Sequence, residues 1–241
     1  MYSGFLGEFA GTAVLILLGN GVVACALLKE SYGRHGGWIV ITAGWCFAVV
    51  AGVLTALSLG SQAHLNPAVT VGIAMETGNW VQVPVYVAAQ VLGAMLGATL
   101  VWLHYLPHWG ITEDPLAKRA CFCTSPAIRR FSANALSEVI GTFMLVLIAA
   151  VIGSRHLAAN GLTPGLGPIL VGLLVWAIGL SLGGTTGYAI NPARDLGPRI
   201  VHSLVPIANK ASSDWGYSII PIAGPLAGAV LAGLLVKALA L

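Results

Sequence analysis

Charge is what this sequence has least of. Only 8% of its 241 residues are Asp, Glu, Lys or Arg, against roughly 25% in an ordinary soluble domain. With 57% hydrophobic residues, a soluble fold of this length could not cover its own surface, so the solvent for most of the chain is lipid. The 11 basic residues are spread through connecting segments and form no stripe, which argues against nucleic acid as a partner. Cysteine is also scarce. Cys25 and Cys46 lie in apolar runs as small hydrophobes, while Cys121 and Cys123 stand one residue apart without CxxC spacing or a His partner. Neither a metal site nor a redox pair is expected. No Ser/His/acid set, metal-ligand spacing or phosphate loop is present, so the chain is expected to be no enzyme and to carry no cofactor.

What is present is a series of long uncharged stretches: Phe9 to Leu28, Gly36 to Met75, Thr77 to Thr112, Val139 to Ser154, His156 to Ala193 and Trp215 to Val236. The first follows Glu8, has no basic leader and is long enough to span, which predicts a transmembrane helix rather than a cleaved signal peptide. Pro and Gly divide the stretches further and predict spans near 5–28, 38–58, 80–104, 132–153, 166–183 and 217–239. Two segments remain, near 66–75 and 191–202, each too short to cross and each starting at Asn-Pro.

These elements repeat. GEFAGTAVLILLG at Gly7 to Gly19 matches SEVIGTFMLVLIA at Ser137 to Ala149, and AHLNPAVTVG at Ala63 to Gly72 matches YAINPARDLG at Tyr188 to Gly197. The expectation is one channel domain over 1–241, with repeats at about 1–110 and 131–241 joined by a loop over 105–130. Three spans per half is an odd number, so the copies enter the membrane from opposite faces and their short segments meet near its middle. The fold class is an all-α membrane protein with six transmembrane helices and two re-entrant half-helices in an inverted repeat.

Asn caps a helix through its side-chain oxygen, and Pro at the next position leaves no N–H orphaned. Asn66-Pro67-Ala68 and Asn191-Pro192-Ala193 therefore predict two helix starts, with each amide NH2 left to donate into the space ahead. Two positive dipole ends facing one point orient neutral acceptors by their oxygens and repel cations. Arg194 follows in an apolar stretch, where an ionisable residue marks function by default.

HLNPAVT at His64 to Thr70 and NPARDLGPR at Asn191 to Arg199 resemble the paired signatures of the aquaporin, or major intrinsic protein, family, and the resemblance covers nearly the whole chain. Asp195 after Asn-Pro-Ala-Arg resembles its glycerol-facilitator branch. The resemblance implies a passive channel for glycerol, other small uncharged solutes and water, in a homotetramer embedded in the lipid bilayer of the cell membrane. A mainly water-conducting channel, or a closed junctional protein, is the alternative. It further implies a filter of Arg194, Tyr188, Gly179 and Trp45. Tyr188 stands where similar facilitators have Phe, and Gly179 would leave room for a carbon backbone where water-selective relatives place His. Trp45 lies one residue farther from Asn66 than the family spacing, leaving Cys46 as the other choice; Trp45 is preferred because the loop can absorb an insertion while the helix keeps its register. Carbonyls of Gln62, Ala63, His64 and Leu65, and of Gly187, Tyr188, Ala189 and Ile190, would form a polar track. Glu8 and Glu138 would hold the two loops, Asp195 would tie down its half-helix, and His64 is expected to be a satisfied polar residue rather than a ligand.

Lys118, Arg119, Arg129 and Arg130 make the 105–130 loop the most basic, which on charge alone places it in the cytoplasm. The resemblance places it outside with both termini cytoplasmic, and that orientation is the expectation.

Overall fold

The computed structural model describes residues 2–241. Among them the order is α1 (Tyr2–Leu27), α2 (Gly37–Ser58), α3 (Pro67–Thr77), α4 (Val83–His104), α5 (Leu106–Ile111), α6 (Pro115–Ala120), α7 (Phe131–Gly153), α8 (Leu166–Leu182), α9 (Pro192–Leu204) and α10 (Ile220–Leu239), with one 3-10 turn at Trp215–Tyr217. Five of these, α1, α2, α4, α7 and α10, are long and apolar enough to cross a membrane. The sixth expected span, α8, has 17 residues, the lower end of the spanning range of about 17–25. It is bounded by Gly165 at φ 85° and by Gly183, and it packs between α2 and α7.

The half-helices α3 and α9 stop at 11 and 13 residues, at about 1.5 Å per residue roughly half of a 30 Å hydrocarbon core. Gly78, left-handed at φ 77°, ends α3 by returning its N–H to the Ala74 carbonyl, a turn that side-chain-bearing residues resist. Packing repeats like the sequence: α1 lies on α2 and α4, and α7 on α8 and α10. Each half-helix, however, packs on the last span of the other half, α3 on α10 and α9 on α4.

Small residues permit these crossings. A Cβ on Gly93 or Gly97 would stand 2.2 Å from the Phe9 carbonyl oxygen or 2.5 Å from that of Ala13, locking α4 against α1. Gly228 in α10 repeats this with the Val139 oxygen at 2.3 Å. Close backbone approach of this kind holds helices together where water offers no driving force.

The 105–130 segment departs from the expected plain loop, since it contains α5 and α6. Both are six residues long, too short for a helical period. Their only signals are Pro at a first or second position and Asp114, whose side chain accepts from the Leu116 N–H. Three of its basic residues have partners: Lys118 is buried and donates to the Ala208 carbonyl at 2.6 Å, Arg119 donates to the Ser212 carbonyl, and Arg129, exposed, pairs with Asp214.

Candidate functional site

The two half-helices begin nose to nose. Asn66 Oδ1 accepts from the Ala68 N–H at 2.8 Å, and Asn191 Oδ1 accepts from the Ala193 and Arg194 N–H groups at 3.0 and 3.2 Å. Their amides differ from the expectation of free donors. Asn66 Nδ2 donates to the Ile190 carbonyl at 2.8 Å and Asn191 Nδ2 to the Leu65 carbonyl at 2.9 Å. Each NH2 has two hydrogens, so one ties the two halves together and one is left over. The Leu65 and Ile190 carbonyls are correspondingly shared with a protein donor.

The backbone leading into each half-helix is left-handed at residues that have side chains: Ala63 at φ 57°, Leu65 at 51°, Tyr188 at 37° and Ile190 at 43°. Each costs about 1–3 kcal/mol and persists only where the surroundings over-determine it. Two buried carboxylates do this. Glu8 accepts from the His64 and Leu65 N–H groups at 2.9 and 2.7 Å, from Ser61 Oγ and from Gln90 Nε2. Glu138 accepts from the Ala189 and Ile190 N–H groups at 3.0 and 2.8 Å and from Thr186 Oγ1 at 2.6 Å. With the N–H groups turned to the acids, the carbonyls are free to face the other way. Ser61, Gln90 and Thr186 are partners that sequence reasoning missed, for nothing in their spacing links them to Glu8 or Glu138.

These loops border a cavity of about 290 Å³. On α2 it is lined by Trp45, Val49, Val53 and Leu57, a four-residue spacing that keeps one helix face over about 18 Å of axis. On α8 the lining runs Gly167, Pro168, Val171 and Val175, and Gly179 lies next in that row. Opposite stand Gln62, Ala63, His64, Leu65, Tyr188, Ala189, Ile190, both asparagines and Arg194. Leu15, Val69, Ile73, Leu145 and Ala149 complete the lining, so apolar side chains dominate it and its polar side chains are those of Gln62, His64, Asn66, Tyr188, Asn191 and Arg194. Gly187 lies outside the cavity lining, with a built Cβ facing Thr124 at 3.5 Å. Pro67, Ala68, Pro192 and Ala193 are buried in the first turns behind it.

The Arg194 guanidinium lies over the Trp45 ring, 4.3 Å from its centroid, a cation–π contact that aims the planar fork without consuming its donors. Among the described residues no carboxylate pairs with it. Cys46, the other choice, is buried against α8, its carbonyl oxygen 2.9 Å from a Cβ built on Gly172. Gly179 serves differently from the expectation of open room. A Cβ there would meet Tyr188 Cζ at 2.9 Å, and one on Gly183 would meet Tyr188 Cδ1 at 2.6 Å. The space these glycines vacate holds the tyrosine ring, which is the wall of the cavity at this level.

Asp195 accepts from the Thr124 N–H and hydroxyl at 2.8 and 2.6 Å and from Arg199 Nε and Nη2 at 2.7 and 3.0 Å. Arg199, fully buried, also donates to the carbonyls of Ser213, Asp214 and Thr124. The 105–130 segment and the segment that follows α9 are thereby fastened to the helix that carries Arg194. Arg199 escaped the sequence reading, although its four-residue spacing from Asp195 was a signal for an ion pair. Nearby, burial pushes the Cys123 thiol up to about 12, which keeps it unreactive. His64 lines the cavity, with Nδ1 3.1 Å from Thr70 Oγ1 and its ring edge-on to Tyr86.

A sequence model described as "Major intrinsic protein" matches residues 1–236. The chain belongs to that family. It is 55% identical to a probable glycerol uptake facilitator protein of Thermotoga maritima, over 94% of this chain and 95% of that one. It is 56% identical to glycerol uptake facilitator protein 3 of Lactiplantibacillus plantarum, over 97% and 95% respectively. A D/L-lactic acid transporter of the same organism is 41% identical over 94% of this chain and 93% of that one. Among solved structures, the aquaglyceroporin from Plasmodium falciparum superposes with a TM-score of 0.85 at 30% identity, covering 98% of this chain and 95% of that one. This major intrinsic protein is an integral, multi-pass membrane protein with the aquaporin-like fold, and no enzyme.

Proposed function

We propose that the protein is a passive channel through which glycerol and similar small uncharged solutes, with water, diffuse across the cell membrane while ions and protons are excluded. The observation that carries this reading is the mixed lining of the cavity. The Arg194 guanidinium lies over Trp45, and the same cavity is lined by a row of Val and Leu side chains on α2 and by the residues of both loops. A polyol offers hydroxyls to the polar groups and CH groups to the apolar row. A cation meets the fixed charge of Arg194 and two helix N-termini, with no carboxylate in the lining to replace its hydration. In this reading Trp45, Gly179, Tyr188 and Arg194 form the filter, the two Asn-Pro-Ala turns the midpoint, the loop carbonyls the polar track, and Glu8, Glu138 and Asp195 its supports. The high identity to facilitators named for glycerol supports the choice of solute.

Vesicles carrying the purified protein are expected to swell after shrinkage in a glycerol gradient and to stay shrunken in sorbitol. Shrinkage that persists in glycerol would overturn the reading in favour of a water-selective or closed protein. Lactic acid at low pH belongs in the same uptake series, given the relative named for it.

Both termini are proposed to be cytoplasmic and the single channel domain to assemble as a tetramer, countable by native mass spectrometry. The pairing of Lys118 and Arg119 with backbone carbonyls and of Arg129 with Asp214 supports an outer position for a segment whose bare charge argued for the inside. Tyr32, fully exposed between α1 and α2, gives the test. The Y32C variant is expected to react with a membrane-impermeant maleimide on intact cells; protection until lysis would reverse the topology.

A further inference from the structure

The seat of Tyr188 has a third side that the filter reading leaves unassigned. Gly179 and Gly183, one helical turn apart, lie beneath the ring. Trp38, at the start of α2, closes its outer edge, with ring centroids 5.8 Å apart and planes at 81°. The same indole donates through Nε1 to the Gly179 carbonyl at 3.0 Å. That carbonyl lies in the last turn of α8, where helices run short of intrahelical donors. Trp38 is itself fixed, since Thr42 Oγ1 donates to its carbonyl at 3.0 Å and accepts from Trp176 Nε1 at 3.2 Å. A tryptophan 40% exposed thus makes two directional contacts, both with residues of the constriction.

We infer that Trp38 is a positioning residue for solute selectivity, holding the Tyr188 ring against Gly179 and Gly183 and withdrawing the Gly179 carbonyl from the solute path. The inference rests on the channel reading above. A glycerol carbon chain needs the ring as a stationary apolar wall; water, smaller and wholly polar, does not. Loosening the ring therefore penalises glycerol and spares water, an effect that a purely structural role of Trp38 would not produce.

The test is the ratio of glycerol to water permeability in the same vesicles, which cancels differences in the amount of folded protein. Trp38→Ala is expected to lower the ratio about threefold to tenfold, the range set by the loss of one edge-to-face aromatic contact. Trp38→Phe keeps an aromatic edge on the Tyr188 side while losing the N–H and one ring of the indole, so it is expected to recover part of the ratio. Gly183→Ala, whose new Cβ would stand 2.4 Å from the Gly179 carbonyl oxygen, 2.6 Å from Tyr188 Cδ1 and 2.7 Å from Trp38 Cζ2, disturbs all three partners of this seat and is expected to lower it as well. An unchanged ratio in Trp38→Ala overturns the assignment. So does an equal loss of both permeabilities, which would mark Trp38 as a folding residue only, or a Trp38→Phe ratio no higher than that of Trp38→Ala. Failure of the channel reading itself is distinguishable, because it is seen as absent glycerol swelling in the wild type before any variant is compared.

Discussion

Glu138→Ala is expected to leave vesicles with no glycerol permeability above the lipid background and to lower the yield of folded protein in detergent. The variant strips the acceptor from the Thr186 hydroxyl and from the Ala189 and Ile190 N–H groups at once. Each buried donor left unsatisfied costs about 1–3 kcal/mol, so about 3–9 kcal/mol is at stake against a typical net stability of about 5–15 kcal/mol. The left-handed turns at Tyr188 and Ile190 then lose what over-determines them, and the carbonyl row collapses before the helices do. Glu138→Gln is expected to be milder, because the amide oxygen still accepts while its NH2 meets donors. Thermal unfolding followed by size-exclusion in detergent, beside glycerol uptake, measures both effects. A Glu138→Ala protein with wild-type melting and uptake would refute the supporting role.

A leucine in place of Gly179 is expected to cut glycerol permeability at least about 100-fold, the scale on which misplacement by about 1 Å acts in a tight site, with water permeability reduced far less. The first added carbon already stands 2.9 Å from Tyr188 Cζ and 3.0 Å from Thr42 Cγ2. Thr42 is pinned by its own hydrogen bonds and cannot retreat. Gly183 and Trp38 close two other sides, so the tyrosine ring has only the cavity to move into. Overpacking of this kind costs about 1–3 kcal/mol, which the bundle survives while the opening narrows. Gly179→Ala requires a shift of a few tenths of an ångström and is expected to show a graded loss. Wild-type glycerol flux in the leucine variant would mean that the ring is not the wall at this level.

The half-helices were legible in the sequence because Asn-Pro is a local signal: capping oxygen and missing N–H act within one turn, and α3 and α9 start where those residues dictate. The spans were legible because hydrophobicity over about 20 residues is a bulk property. What could not be read was everything joined across the chain. Asn66 and the Ile190 carbonyl, Gln90 and Glu8, Thr124 and Asp195 are far apart in sequence, and no periodicity connects them. Gly179 was legible only in part for a related reason, since an absent side chain says that space exists without saying which neighbour takes it. The charge of the 105–130 segment likewise reveals nothing about Asp214 and the carbonyls that receive it.

The exchange of half-helices between the two repeats, α3 on α10 and α9 on α4, also governs the order in which the protein can be made. When the ribosome has finished the first repeat, α4 bears an unfilled groove and Asn66 lacks its acceptor. Neither is supplied until residues from 190 onward have been synthesised. The groove and the hydrogen bond therefore both wait on the second repeat, and neither half can complete the site by itself.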